Sequence, residues 1–592
     1  MFHLSHRQNP VSRGAKHGRR AAAALTTALA TAAVVLAGAP AQAVPTSSTT
    51  LVVDADQTLR PVTHVATGSL YGLADDATPA DGLVGALRPN TFVQMAPGGS
   101  QLPNGEPKPA GDALVVAPKA ARAGAEVVVR MPDWYPNFPY KWVSWSDWLS
   151  AVDQQVTSVR SSGATDIAAY ELWNEPDWTW DTTDAGPFDA GWARTYKEVR
   201  SKDASTPIQG PSYSTWNLNR MTTFLTDAEA DGTVPDVISW HELQGAQNIA
   251  ADVAAYRSLE SRLGISPRPI SIEEYGKPAE MGDSGALIGY AAKFERAGVH
   301  DAELAFWNHY GTLGDTLTDT GGSPNGSYWT YKWYGEMSGN MLVTTPPAQT
   351  GMDGLASLDG SGDRISVLAG GCTGSCAVTV KGLSSLPAFG GRVHVKLEYS
   401  PDAGRTTASS GPITISEADY TVSGGAVTVP VTMNASDGYH LVIAPSGTST
   451  SLAGRYRITN ANSGLALDTS GAGTAVGTSV VQSAPTGGTD QNWTLVPAGS
   501  GLYKIVNQKS GLLLGIRNMS TDNGGTALIW SDNNTADHLW QIIPAADGHD
   551  KIADYNSGLL LGVNDMSTSS GAQVLQWSDN GTADHLWTLT AR

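Results

Sequence analysis

Ala168-Ala169-Tyr170-Glu171-Leu172-Trp173-Asn174-Glu175-Pro176 is the stretch that decides the fold of this chain. The run from Ile167 to Trp173 is short and largely apolar on both faces, as a strand of a buried parallel sheet should be. It stops at an amide, an acid and a proline. An acid at the end of such a strand is costly unless it is paired or used. A second run of the same kind, Pro269-Ile270-Ser271-Ile272-Glu273-Glu274-Tyr275-Gly276, also ends in acids.

Six further strand candidates surround these two: Ala66–Tyr71, Thr91–Ala96, Ala125–Pro132, Pro207–Ser212, Val237–His241 and Ala302–Trp307. Helical periodicity follows most of them, at Ser146–Ser161, Asp189–Lys202, Leu218–Ala230, Ile249–Leu263, Gly285–Ala297 and Ser327–Met341. Eight such βα units over residues 50–343 predict a (β/α)8 TIM barrel, whose chemistry sits at the C-terminal ends of its strands.

Beyond the barrel the period changes. Thr344-Thr345-Pro346-Pro347 breaks the helical run and opens a domain over residues 344–445, in which residues 348–445 alternate at period two, as in Val393-His394-Val395-Lys396-Leu397. This predicts a small antiparallel β-sandwich. Residues 446–451 read as a flexible linker. Residues 452–592 repeat: Ser510-Gly511-Leu512-Leu513-Leu514-Gly515 returns as Ser557-Gly558-Leu559-Leu560-Leu561-Gly562, and more loosely as Ser463-Gly464-Leu465-Ala466-Leu467-Asp468. The copies end in Trp493, Trp540 and Trp587, spaced 47 and 47 residues apart. Units too small to bury a core alone must close on each other. Three-fold closure makes a β-trefoil.

The chain has 592 residues and a formal charge of −19. Residues 1–43 read as a secretory signal peptide: a basic n-region (Arg7, Arg13, Lys16, Arg19, Arg20), an apolar Ala21–Ala37 and an Ala41-Gln42-Ala43 cleavage site. Arg19-Arg20 leaves Sec and twin-arginine export both open. The mature chain would begin at Val44, carry −24 and be extracellular. A charge that negative repels phosphate backbones, so no nucleic acid partner is expected. No membrane partner is expected either, and we expect a monomer. Cys372 and Cys376, the two cysteines, would close a tight loop as a disulfide in an oxidising compartment. Nothing in the sequence calls for a cofactor or a metal.

Two carboxylates facing one pocket suit glycoside hydrolysis, one protonating the departing oxygen and the other attacking the anomeric carbon or activating a water. Glu175 and Glu274 are the candidates. Glu273 is the rival to Glu274, because adjacent strand residues point to opposite faces. Glu171, four residues before Glu175, reads as half of an ion pair inside the barrel. His241, at the end of strand six, steadies the nucleophile, binds a sugar hydroxyl, or is a buried, hydrogen-bonded histidine. Trp307 ends strand eight, where a flat ring can stack on a sugar. Tyr71 and the Asp133-Trp134 pair are further pocket candidates, beside an aromatic cluster of Trp142, Trp145, Trp148, Trp178 and Trp180. The spacing of Trp145 and Trp148 suits core packing.

Trp173-Asn174-Glu175-Pro176 and Glu274-Tyr275-Gly276 resemble the strand-four and strand-seven motifs of the clan A glycoside hydrolases. Ser239-Trp240-His241 and the following sandwich are most similar to glycoside hydrolase family 39. The resemblance spans residues 50 to 445. It implies retention through a covalent glycosyl-enzyme, with Glu175 as general acid/base, Glu274 as nucleophile and Asn174 on the sugar 2-hydroxyl. It also implies a plant or microbial polysaccharide or oligosaccharide as substrate, and a pentose-related sugar such as xylose or arabinose. The repeats resemble the ricin-type lectin trefoil, carbohydrate-binding module family 13. Its Q-x-W signature is intact at Gln491-Asn492-Trp493, while His538 and His585 replace the glutamine. Asp468 resembles that family's sugar-binding acid, but Gly515 and Gly562 stand there in the other units. Trp530, Asp532, Trp577 and Asp579 are the remaining sugar-binding candidates. The alternative functions are a secreted lectin with an inactive barrel and a transglycosylase.

Overall fold

The computed structural model describes residues 49–446, 452–499, 502–545 and 549–592. The expected signal peptide and the linker beyond Ser446 lie outside the described residues. Among the described residues no helix is long and apolar enough to cross a membrane.

Eight parallel strands close into a barrel: Gly68–Leu70, Thr91–Met95, Glu126–Arg130, Ile167–Glu171, Ile208–Tyr213, Val237–Trp240, Ile270–Tyr275 and Asp301–Leu304. Each overlaps an expected strand; the fifth runs one residue further, to Tyr213, the eighth begins one residue earlier, at Asp301, and stops at Leu304, and the others are trimmed at one or both ends. The helices between them begin and end on chemical signals. Trp145–Ser162 starts at Ser144, whose hydroxyl accepts from Asp147 N–H, and stops at Gly163 in the left-handed region. Asp112, Asn217, Asp283 and Asn325 cap four other helices in the same way. The helices bury their apolar faces on the barrel, with Val152, Phe224, Leu259 and Phe294 in one continuous core.

The last barrel helix is Gly326–Glu336, shorter than the expected Ser327–Met341. Asn340–Thr345 is instead a strand, pairing antiparallel with an N-terminal strand at Thr50–Pro61. Tertiary pairing overrides the helical period here. Thr50–Pro61, expected within the barrel region, also pairs in parallel with Gly374–Lys381. The accessory domain therefore draws its first strand from before the barrel. It is one nine-stranded sheet, antiparallel apart from that pairing, curled over a common core that joins Leu51, Val367, Val378, Val393, Val429 and Leu441. Cys372 and Cys376 form the expected disulfide at its edge.

The sandwich is seated against helix Ser284–Ala297. Lys293 Nζ and Arg296 Nη2 hold Asp353 at 2.6 and 2.8 Å. Gly285 lies so close that a Cβ there would meet the Ala435 carbonyl at 1.8 Å. The trefoil is a closed barrel of six antiparallel strands with three outer hairpins. Trp493, Trp540 and Trp587 fill its centre, and their indole N–H groups donate to the Leu467, Leu514 and Leu561 carbonyls at 2.8 to 3.0 Å.

Candidate active site

The strand-seven acids depart from simple alternation. Ile270, Ile272 and Tyr275 all pack into the core shared with the helices. Strict alternation would send residue 274 the same way as 270 and 272. Pairing with strand eight shifts register between Ile272 and Tyr275. Such a bulge changes the parity of the strand, so both glutamates turn inward. The expectation that only one of them could do so fails for this reason, and depth separates them instead. Glu273 is fully buried within the barrel and accepts from Gln209 Nε2 at 2.5 Å. Glu274 lies at the top, where Arg130 Nη1 donates to its Oε1 at 2.6 Å.

Glu175 follows strand four in the left-handed region, at φ +50° and ψ +50°. That conformation is unfavourable for a residue with a Cβ and persists only where the surroundings enforce it. Here Glu175 N–H is fixed on the Ser212 carbonyl at 2.9 Å, and Pro176 starts the short helix Pro176–Thr179. The carboxylate is gripped from two sides. His241 Nδ1 donates to Oε1 at 3.2 Å, and Trp178 Nε1 donates to Oε2 at 2.9 Å. His241 Nδ1 is also 3.8 Å from Glu274 Oε2. One ligand atom from each of Glu175, His241 and Glu274 falls within a 4.8 Å cluster.

Burial opposes ionisation of Glu274, but His241 and Arg130 outweigh it and hold its carboxyl below the usual range. Burial also opposes a charged His241, and Glu274 and Glu175 outweigh it, so the imidazole is pushed up. Arg130 Nε is 2.7 Å from Glu171, which is the expected interior ion pair. Yet burial drives the Glu171 carboxyl well above its ordinary value despite the guanidinium. Arg130 thus bridges Glu171 and Glu274. One ligand atom from each of Glu175, His241 and Glu274 could also span an ion, with Arg130 already occupying one oxygen of Glu274.

Beside the acids lies a buried polar chain. Tyr71 donates to Asp133 Oδ2 at 2.6 Å, and its hydroxyl lies 3.0 Å from Gln101 Oε1. Tyr140 donates to Asp133 Oδ1 at 2.9 Å, and Asn174 Nδ2 donates to Tyr140 Oη at 3.4 Å. Asn174 Oδ1 has no protein partner. Burial pushes the Asp133 carboxyl up to about 6. Trp307 is half-buried, with its backbone N–H on Asp315 Oδ2 at 2.7 Å. Trp148 is core, as its spacing implied, whereas Trp178 lies open at the mouth.

The structure brings Glu175, Glu274 and His241 together, and Tyr71, Asp133 and Asn174 alongside. Arg130, Tyr140, Gln101 and Trp178's contact with Glu175 are not singled out by the sequence. Arg130 did leave a signal, since a cation closes the otherwise apolar Val127-Val128-Val129.

In the trefoil, Asp468 Oδ2 accepts from Gln491 Nε2 at 3.0 Å. Units two and three differ by one physical exchange. A Cβ on Gly515 would meet His538 Cδ2 at 2.3 Å, and one on Gly562 would meet His585 Cδ2 at the same distance. Histidine in the glutamine position fills the space of the missing acid, so the two departures from the lectin pattern are a single swap. Trp530 and Trp577 are 40% and 41% exposed. Asp532 is paired with Lys504 at 2.6 Å and Asp579 with Lys551.

A barrel with one carboxylate at the end of strand four and another at the end of strand seven, followed by a β-trefoil, defines a clan A glycoside hydrolase carrying a ricin-type lectin domain. The comparisons agree. The family of ricin-type beta-trefoil lectin domain-like sequences matches residues 439–530, 497–577 and 536–592. A 3-O-beta-L-arabinopyranosyl-alpha-L-arabinofuranosidase from Bifidobacterium pseudocatenulatum is 26% identical over 510 residues, covering 74% of this chain and 50% of that protein. A 3-O-alpha-D-galactosyl-alpha-L-arabinofuranosidase from Bifidobacterium longum subsp. longum is 27% identical, covering 64% of this chain and 39% of that protein. The chain thus spans half, or less, of the length of these curated relatives. The structure of N2152 from Neocallimastix frontalis is 34% identical with a TM-score of 0.64, covering 67% of this chain and 100% of that one. The chain belongs to the same family as N2152, within the clan A glycoside hydrolases.

Proposed function

We propose that the protein is a secreted, retaining α-L-arabinofuranosidase acting on plant polysaccharide or its oligosaccharides. The observation that carries the mechanism is the convergence of Glu175 and Glu274 on His241, with carboxylate oxygens inside one 4.8 Å cluster. Retaining enzymes hold their carboxyl groups about 5–5.5 Å apart, and inverting ones about 6.5–9.5 Å. Glu274, kept ionised by His241 and Arg130, attacks the anomeric carbon as the sugar–oxygen bond breaks. Glu175 gives its proton to the departing oxygen. It then takes a proton from the water that displaces the sugar from Glu274. Asn174 and Asp133 line the pocket as partners for the hydroxyls of the sugar.

Arabinofuranose is favoured because both curated relatives are named for it, each with a sugar on O3. The trefoil raises the local concentration of the barrel on a carbohydrate surface through the exposed Trp530 and Trp577. Secretion is supported by the composition of residues 1–43. The test is hydrolysis of a polysaccharide bearing 3-O-substituted α-L-arabinofuranosyl side chains, with the first-formed anomer followed by NMR. Release of a disaccharide of retained configuration is expected. Inverted product, or undiminished hydrolysis after Glu274→Gln, would refute the reading. N-terminal sequencing of protein from culture medium should begin at Val44.

A further inference from the structure

The carboxylate of Glu175 has two neighbours of opposite character. His241 lies on its inner side, buried and shared with Glu274. Trp178 lies on its outer side and is 53% exposed, although its indole N–H is fixed at 2.9 Å on Glu175 Oε2. The edge of the Trp178 ring meets Phe138, itself 43% exposed, with centroids 5.2 Å apart at 88°. Phe138 in turn stands edge-on to Tyr140, whose hydroxyl donates to Asp133. The contacts from Glu274 through His241 and Glu175 to Trp178 therefore lead from two equally buried carboxylates to an exposed indole. A sugar attacked by Glu274 sits over this carboxylate pair. Its departing oxygen must lie beside Glu175, and whatever that oxygen carries leads outward over Trp178 and Phe138. Two large rings in edge contact and open to water make a contiguous apolar patch, the kind of surface that marks a binding site.

We propose that Trp178 and Phe138 form the leaving-group subsite, and that Trp178 is at once its platform and the positioning residue of the general acid. Their rings stack on the apolar face of the sugar that departs. The indole N–H holds Oε2, which leaves the carboxyl of Glu175 one way to point toward the bond being broken. Covering the indole with substrate also removes water from that hydrogen bond and strengthens it. The barrel would then select a substrate whose cleaved sugar is joined to another ring. An alkyl or unbranched leaving group would be used poorly. This inference rests on the assignment of Glu175 and Glu274 proposed above.

The test separates platform from donor. Steady-state kinetics are compared on an arabinofuranosyl oligosaccharide and on the 4-nitrophenyl arabinofuranoside, whose leaving group needs no protonation. Phe138→Ala removes a ring but no hydrogen bond to Glu175, so KM for the oligosaccharide should rise about 3- to 10-fold with kcat little changed. Trp178→Phe keeps a ring but removes the N–H. Its kcat on the oligosaccharide should fall about 10- to 100-fold relative to its kcat on the nitrophenyl substrate. Trp178→Ala should show both effects, with thermal midpoints confirming that all three variants fold. Equal losses on the two substrates, or no change in either, would overturn the inference. Glu175→Gln and Glu274→Gln are run in parallel. If they retain hydrolysis, the assignment of the acids has failed, whereas inactive glutamates with indifferent Trp178 variants defeat only the subsite.

Discussion

The trefoil carries one residue that its own symmetry argues against. Asn460, Asn507 and Asp554 recur at the 47-residue period. All three close the same turn, with backbone N–H on the Leu465, Leu512 and Leu559 carbonyls at 2.9 Å. Asn460 Nδ2 donates to the Asp584 carbonyl and Asn507 Nδ2 to the Asp490 carbonyl, each at 2.7 Å. By the same symmetry Asp554 faces the carbonyl of Asp537, to which an ionised carboxylate has nothing to donate. Asp554 is fully buried and its Oδ1 has no partner. Burial pushes its carboxyl up to about 7 from 3.8, more than the Ser557 hydroxyl lowers it. Because the folded value lies above the unfolded one, the group is at its best below pH 4. It costs progressively more as pH rises, reaching its full penalty above pH 7. At 1.36 kcal/mol per unit that penalty is about 4 kcal/mol at pH 8 and about 2 kcal/mol at pH 5. Asp554→Asn restores the donor and removes the titration, so it should stabilise by about those amounts. At pH 8 the trefoil transition should rise by roughly 10 °C. Calorimetry of the full chain at both pH values measures the gain. Hydrogen exchange in peptides covering Asp550–Asp554 assigns it to this domain. A gain of equal size at pH 5 and pH 8, or none at pH 8, would refute the argument, because only a titrating carboxyl makes the difference depend on pH.

Other substitutions test other joints. Arg130→Met leaves two buried glutamates without their cation and should cost about 3–5 kcal/mol of stability together with most of kcat, read by calorimetry and initial rates. Asp133, pushed up to about 6, should take a proton as pH falls through that value, raising KM for the sugar. Its folded value exceeds 3.8, so protonation stabilises the fold and the loss of binding at pH 5 should come without unfolding; Asp133→Asn should abolish this pH dependence of KM. Gly515→Ala drives a methyl against His538 and should cost about 1–3 kcal/mol in denaturant titration. Adding His538→Gln should recover much of that, since unit one accommodates a side chain at the same position beside Gln491. Gly285→Ala, pressed on the Ala435 carbonyl, should loosen the seam between barrel and sandwich and raise protease sensitivity there.

The barrel was legible because each of its strands is a short apolar run set off by a helical period, and this local signal survives without any knowledge of the partner strand. The boundary with the sandwich was not legible. Asn340–Thr345 reads as the end of a helix until Thr50–Pro61, nearly 300 residues earlier, is seen to pair with it. Non-local pairing leaves no mark in a window of ten residues. The site divides along the same line. Glu175 stands out because a charge, an amide and a proline interrupt one strand. Arg130 and Trp178 act through contacts across the barrel or back along a turn, and such contacts have no fixed spacing.

Glu273 and Glu274 carry that lesson into the chemistry. Alternation alone offers a choice between two faces, one acid in and one out. The bulge between Ile272 and Tyr275 replaces that choice with two depths inside one barrel. Gln209 donates to the deeper acid, and Arg130 donates to the upper one, beside His241. Burial and the nearby carboxyls also push Glu171 and Glu303 well above their ordinary values, whereas Glu274, beside both Arg130 and His241, is held below its own. The interior of the barrel thus does for Glu274 what a single neighbour could not. It supplies a cation that bridges Glu171 and Glu274, with His241 on the far side of Glu274, at the position where an ionised carboxylate is of use.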